Sequence, residues 1–251
     1  MSAASSGSGV PAGEVAEPLP RAVRRRARDE IVREIVEVAR RHLATQGAAA
    51  LSLRAVAREL GMVSSAVYRY VAGRDELLTV LILDGYNALG VAVETAEAAV
   101  PRDDLRGRWL AICHGVRDWA LAHPHEYALL YGSPVPGYVA PEATVPAATR
   151  VTALLSALLQ DAVAVGALGV DPQGELDAVV VAAMRPTRPF VPETVPAGLL
   201  FRGLGVWTDL FGAVSFELFG HWHHVIDEDL VLRRAYFTEA MVRRGRAVGL
   251  G

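Results

Sequence analysis

The chain has 251 residues, 52% of them apolar and 21% charged, which is enough to bury one large or two modest cores and excludes disorder as its main state. Its one cysteine, Cys113, excludes an internal disulfide and a multi-thiolate metal site, so the expected compartment is reducing. The net charge of −3 hides an asymmetry: residues 1–20 carry −2, residues 21–74 carry +7 from twelve Arg against five acids, and residues 75–251 carry −8. A basic block ahead of an acidic body fits a nucleic-acid-binding head on a body that does something else. All twenty-five basic residues are Arg, which suggests a GC-rich genome as much as any need for bidentate contacts.

Ser, Gly, Ala and Pro dominate before Arg21, without the layout of a signal peptide, and read as a flexible tail extending through residue 27. The run Arg21, Arg24, Arg25, Arg26 and Arg28 is either an arm that threads a DNA minor groove or a solvated tail. Ile31, Ile35, Val38, Ala39 and Leu43 then recur at spacings of three and four, a helix that Gly47 stops. Ser52 is placed to cap a short second helix with Leu53, Val56, Ala57 and Leu60 inward, ended by Gly61. Ser64 or Ser65 caps a third, with Val67 and Val71 inward. Asp75 and Glu76 open a longer helix carrying Leu78, Leu81, Ile82, Gly85, Leu89 and Val93 toward Pro101.

Beyond Pro101 the expected helices are 103–122, 124–131, 143–168, 172–184, 197–223 and 229–246, and strand-like alternation is absent. The Pro-rich stretches 133–141 and 185–196 are expected to be mobile loops. The longest apolar stretch, Val151 to Val170, is interrupted by Gln160 and Asp161, so it reads as a buried or interface helix of a soluble protein and no membrane partner is expected. The fold class is therefore all-α, with a three-helix head at 28–74 and a larger helical body at 75–251.

A helix, a tight turn around Gly61 and a second helix is the layout that lays one helix in a DNA major groove while its partner braces it. Packed helical hairpins share that layout. The longer pattern is more specific: Ile31 to Gly47, then Leu-Ser-Leu-Arg-Ala-Val-Ala-Arg-Glu-Leu-Gly at 51–61, Ala-Val-Tyr-Arg-Tyr-Val at 66–71 and Gly-Arg-Asp-Glu-Leu-Leu at 73–78 resemble the TetR family of bacterial regulators. The body resembles the TetR C-terminal domain named for a Trp-His-Gly signature, through Trp119 to Tyr131, Gly132 to Tyr138 and Phe216 to Trp222.

The resemblance implies a helix-turn-helix head, a linking fourth helix, a ligand-binding body, and a homodimer that reads a palindrome in double-stranded DNA. Matched position by position, it implies base contacts from Arg54, Ser64, Ser65, Ala66 and Arg69 and phosphate contacts from Ser52, Tyr68, Tyr70 and Arg74. The family often has Lys where Arg74 stands and an aromatic where Val71 stands; charge and burial are kept.

In the body, Tyr86, Trp109, Cys113, His114, Trp119, Tyr127, Tyr131, Trp207 and Phe211 are candidates for an aromatic-lined pocket, although the same residues would make an ordinary core. The last two helices carry more apolar surface than a monomer's exterior holds, and Leu204, Trp207, Leu210, Val214, Leu232, Tyr236 and Met241 are candidates for a two-fold interface. His221, His223, His224 and Asp227 have the side chains of a metal site, but helix-end capping explains them as well, and no metal or cofactor is expected. Cys113 and His114 are helical neighbours pointing about 100° apart, a poor dyad.

The expected function is thus a cytoplasmic, homodimeric transcriptional regulator, a repressor released from its operator by a small, largely apolar or aromatic effector of unknown identity. The alternative is an enzyme or small-molecule-binding protein using the body. Against it, the sequence has no glycine-rich phosphate loop, no nucleophile elbow and no convincing metal spacing.

Overall fold

The apolar stripes of the sequence become helices in the computed structural model, which describes residues 21–167 and 175–250 and has no strand among them. Helices α1 (Arg21–Gln46), α2 (Leu53–Glu59) and α3 (Ser64–Val67) pack with the first turns of α4 (Arg74–Ala98). Ile35, Val38 and Ala39 of α1, Val56 and Ala57 of α2, Val67, Val71, and Leu77, Leu78 and Leu81 of α4 form this head's core, each at most 2% exposed. The α2–α3 turn is built on Gly61, whose φ of +65° is left-handed. There the Met62 N–H donates to the Ala57 carbonyl at 2.9 Å and the Gly61 N–H to that of Arg58 at 3.2 Å, the paired bonds of a Schellman stop.

Four head details differ from the sequence reading. Helix α1 starts at Arg21, so the arginine run assigned to the tail is helical, consistent with a segment of strong helix formers lacking Gly and Pro. The rest of the tail, residues 1–20, lies outside the described residues. Helix α3 is α-helical only to Val67 and continues as tight turns to Tyr70. Its N-cap is Val63 rather than Ser64 or Ser65, and Ser52, at the N-cap of α2, makes no side-chain capping bond.

The body comprises α5 (Leu105–Ala122), α6 (Pro124–Tyr131), α7 (Val145–Ala148), α8 (Arg150–Ala164), α9 (Ala178–Ala183), α10 (Ala197–Leu218) and α11 (Leu230–Ala247). Asp104 caps α5 by accepting from the Gly107 N–H, Pro124 occupies the first turn of α6, and Asp229 caps α11 by accepting from Val231 and Leu232. The helix expected at 143–168 is divided at Thr149 and stops at Gly166, whose φ is +68°. The helix expected at 172–184 is α9 alone, opened by Asp177 accepting from the Val179 N–H; residues 168–174 lie outside the described residues. Helix α10 ends before Gly220, φ +80°, instead of continuing to 223.

Neither proline-rich stretch is an unanchored loop. Residues Arg185–Phe190 form a 3₁₀ helix, a short form that accommodates proline's fixed φ. In 133–141, Val135 and Tyr138 pack against the head core, and the Tyr138 hydroxyl bonds that of Thr79 at 2.9 Å. Helices α4 and α10 have the length and apolarity of membrane spans, a property shared by core helices; both pack a buried face against their neighbours.

Buried arginines bolt the body together. Arg117 of α5 donates from Nε and Nη2 to both carboxylate oxygens of Glu217 on α10 at 2.7 and 2.5 Å, with the two side chains 4% and 3% exposed. Arg108 of α5 donates to Glu97 of α4 at 2.6 Å and to Asp161 of α8 at 2.7 Å. Removing one member of a buried pair strands the other charge. Glu217→Ala is therefore expected to cost about 3–5 kcal/mol in urea unfolding, whereas the double change Arg117→Met with Glu217→Leu keeps or raises stability.

Candidate nucleic-acid interface and ligand site

The two short helices of the head present one polar face. Arg54 and Arg58 of α2, Ser64 and Ser65 of α3, and Tyr68 and Arg69 just after it are exposed, while Ser52, Ala66 and Tyr70 are half-buried beside them. The face is rigid because Val56, Ala57 and Val67 anchor both helices from below. Among the described residues no carboxylate pairs with Arg54, Arg58 or Arg69, whereas Arg40 and Arg41 on α1 are paired with Glu37 and Asp84 and with Glu59. Glu59 also takes a 2.7 Å bond from His42, bracing α2 on α1, and hydrogen bonds from Arg41 and then His42 hold its carboxyl below the usual range.

Two arginines are used differently from the sequence reading. Arg74, matched to a phosphate-gripping position, donates through Nε to the Leu51 carbonyl at 3.2 Å and through Nη2 to those of Ala48 and Ala49 at 3.1 and 3.2 Å. It closes the 3₁₀ turn Ala48–Ala50 while its side chain stays 31% exposed, with Nη1 3.8 Å from the Asp75 carboxylate. Arg28, in the run offered as an arm, donates to the Arg69 carbonyl at 2.9 Å and lies 5.5 Å over the Tyr70 ring. That contact buttresses the far end of α3, a role invisible in sequence because a long side chain reaches forty-one residues along the chain.

The nine pocket candidates separate into groups. Tyr86, Tyr127, Tyr131, Phe211 and Trp207 form a chain of touching rings, with centroids 4.5 Å apart for Tyr131 and Phe211, 5.0 Å for Tyr127 and Tyr131, 5.8 Å for Trp207 and Phe211, and 5.9 Å for Tyr86 and Tyr131. Burial pushes the Tyr127 phenol up to about 12 and raises that of Tyr131 further, so both are neutral donors at neutral pH. Trp109 faces α11, where its indole N–H donates to the Met241 carbonyl at 2.7 Å. Trp119 stacks on His123. Cys113 is fully buried, its thiol pushed up by desolvation, and His114 reaches Thr238 instead of the thiol.

Trp109 and Trp207 border a void of about 20 Å³. A cavity of about 160 Å³ sits between α8, the 3₁₀ turn Arg185–Phe190 and α10, with Trp207 on its wall. Thr152, Ser156 and Thr187, which also line it, carry no sequence signal. A second, of about 420 Å³, separates the C-terminal end of α1 from His125, Leu129 and Pro134.

The interface candidates divide as well. Leu210, Val214 and Met241 are at most 1% exposed in the protomer's own core, and this burial removes them from any outer surface; Leu204 is half-buried. Trp207, Leu232 and Tyr236 are exposed at 36%, 53% and 50%, and Phe201, Phe216, Leu230 and Val231 are exposed with them.

Ligating atoms of exposed His223, His224 and Glu228 lie within 4.8 Å of one another, the one set with metal-ligand chemistry among the described residues. His221 packs on Phe216 and the Asp227 carboxylate accepts from the Asp229 N–H, so neither joins it.

The tautomer of His114 follows from its partner. The Thr238 hydroxyl proton goes to the Arg234 carbonyl at 2.7 Å, so His114 Nε2–H donates to Thr238 Oγ1 at 3.1 Å and Nδ1 stays unprotonated. That Nδ1 is buried with no hydrogen-bond partner among the described residues. Burial, and then the Arg234 charge, lower the pKa, so the unfolded chain binds a proton there more readily than the folded one. Stability should therefore fall as pH drops below about 6.5 toward 5, and His114→Phe should flatten that part of the melting-temperature profile.

Comparison with known proteins fits this geometry. The family model for bacterial regulatory proteins of the tetR family matches residues 35–81, the head and the start of α4. The model for the tetracyclin repressor-like C-terminal domain matches residues 109–238. The HTH-type transcriptional regulators Rv1816 of Mycobacterium tuberculosis and Mb1846 of Mycobacterium bovis are each 42% identical over 215 residues, covering 79% of this chain and 85% of theirs. The crystal structure of the regulatory protein SCO4313 is 32% identical, with a TM-score of 0.69 over 88% of this chain and 98% of that one. A protein from Rhodococcus sp. RHA1 at 24% identity, TM-score 0.61, covering 84% of this chain and 93% of its own, shares the fold. The mycobacterial relatives are HTH-type transcriptional regulators. With family models over head and body and a relative 42% identical over most of its length, the chain belongs to the TetR family of bacterial transcriptional regulators.

Proposed function

We propose that the protein is a homodimeric repressor that binds an inverted-repeat operator through the α2–α3 face and leaves it when a small, largely apolar or aromatic molecule occupies the body. The observation that carries the reading is the set of exposed cations Arg54, Arg58 and Arg69 beside Tyr68, with no carboxylate partner among the described residues, on a pair of helices locked to a common core. Free guanidinium groups on a rigid face release counterions from phosphates and read guanine edges, and both uses need the groups not to be spent on carboxylates. The exposed apolar side chains of α10 and α11, Phe201, Trp207, Phe216, Leu232 and Tyr236, supply the surface that a second copy would cover.

Selection of duplexes from a random pool by the purified protein, at two salt concentrations, tests this. The expected product is an inverted repeat with half-sites about 34–36 Å apart. Recovery of no motif, with binding that disappears at the higher salt, would leave only non-specific attraction. The double change Tyr68→Ala and Arg69→Ala is expected to abolish binding to the selected repeat while leaving the circular-dichroism spectrum and melting temperature unchanged. Retained binding to that repeat would move the recognition surface elsewhere.

A further inference from the structure

The cavity between α8, the 3₁₀ turn and α10 has a definite chemistry. At about 160 Å³ it matches the volume that holds one benzene-sized ring, about 150 Å³. Its walls are mostly apolar, with Leu155, Leu159, Leu200 and Leu204 facing Phe190 and Trp207, and among the described residues no Arg, Asp, Glu or His lines it. A charged ligand would surrender its hydration there with no counter-charge in return. The polar side chains on the wall are hydroxyls, and three are committed as donors: Thr149 to the Val145 carbonyl at 2.9 Å, Thr152 to the Thr149 carbonyl at 2.8 Å and Ser156 to the Phe190 carbonyl at 3.5 Å. What those oxygens still offer is lone pairs, so the polar handle that suits them is a donor.

We infer that this cavity is the effector site, and that it takes a neutral, single-ring-sized apolar molecule bearing one hydroxyl-type donor. The inference rests on the regulator reading only for its consequence, because occupancy itself is measurable without DNA. The consequence comes through Arg150, which sits between Thr149 and Thr152 on the helix that walls the cavity. Its Nε and Nη2 donate to the Glu94 carboxylate at 2.8 and 2.5 Å, and its Nη1 donates to the Asn87 carbonyl at 3.0 Å. The guanidinium lies against α4 at Gly90, where a Cβ would fall 2.5 Å from Nε. Displacement of α8 by a ligand therefore pulls directly on the helix that enters the head.

The test uses the full chain with benzyl alcohol as probe and benzoate as its charged counterpart, read by tryptophan fluorescence with Trp207→Phe as the control that assigns the signal. Benzyl alcohol is expected to bind and benzoate not to. Ser156→Leu and Thr187→Leu, which fill the cavity from facing walls, are expected to weaken probe binding by about tenfold or more without altering affinity for the selected repeat. Gly90→Ala is expected to bind the probe as the parent does and to release the repeat less readily. Equal binding of benzoate would overturn the neutral class, and parental probe binding by both filled variants would overturn the site. Failure of the probe to bind a protein that still holds its repeat would sink this inference and spare the regulator reading. Loss of repeat binding by the parent protein would sink the regulator reading, while the fluorescence titration would still judge the cavity.

Discussion

One helix belongs to two cores at once, and the rest of the structure depends on it. The first turns of α4 place Leu77, Leu78 and Leu81 in the head, and its later turns place Leu89 and Val93 in the body, with no break between them. At 1.5 Å per residue its 25 residues span about 37 Å, so a tilt of about 10° at one end moves the other by about 6 Å. A second contact prevents the head from swivelling about that rod: Leu129 of α6 and Val135 and Tyr138 beyond it pack on the head core. The orientation of the α2–α3 face is thus a property of the body. DNA half-sites one duplex turn apart tolerate a narrow range of separations, so a shift of several ångströms is enough to matter.

The body in turn is held in register by arginines more than by adhesive energy. Arg108 ties α5 to α4 and α8, Arg117 ties α5 to α10, and Arg150 ties α8 to α4. Burial works against the Arg108 charge, and the carboxylates of Asp161 and Glu97 more than restore it, leaving its pKa above the ordinary value. Arg150 holds the Glu94 carboxyl below its usual range. Pairs of this kind return little net stability after desolvation, but bidentate geometry permits one relative placement of two helices where leucine against leucine permits several.

The head was legible in the sequence because its signals are local. Stripes at spacings of three and four, a left-handed glycine at the turn and acids opening α4 each act within a few residues, and the buried set Ile35, Val38, Val56, Ala57, Val67 and Leu78 is the set those stripes named. Contacts made by reach escaped. Arg28 and Arg74 spend their charge on backbone carbonyls far along the chain, and no spacing rule announces that. The cavity escaped for a related reason: aromatic residues attract attention, yet Tyr127, Tyr131 and Phe211 satisfy one another, and the space is left where Thr152, Ser156 and Leu204 fail to fill it. A void is the remainder of packing, and composition does not record it.

Helix α10 was illegible for a different reason, and its placement has a mechanical consequence. It is apolar nearly all round, so periodicity could not say which half faces inward; the structure turns Leu210 and Val214 into the core and Phe201 and Phe216 outward. Trp207 lies on the border, lining the cavity while 36% exposed beside that outward face. A ligand in the cavity and a second copy on the outward face would therefore press on one helix from two flanks, with Glu217 transmitting its position to α5 through Arg117. Coupling between two such sites is reciprocal, so a ligand that alters the seat of α10 alters the fit of the partner, and a partner that fixes α10 alters the ligand's affinity by the same factor.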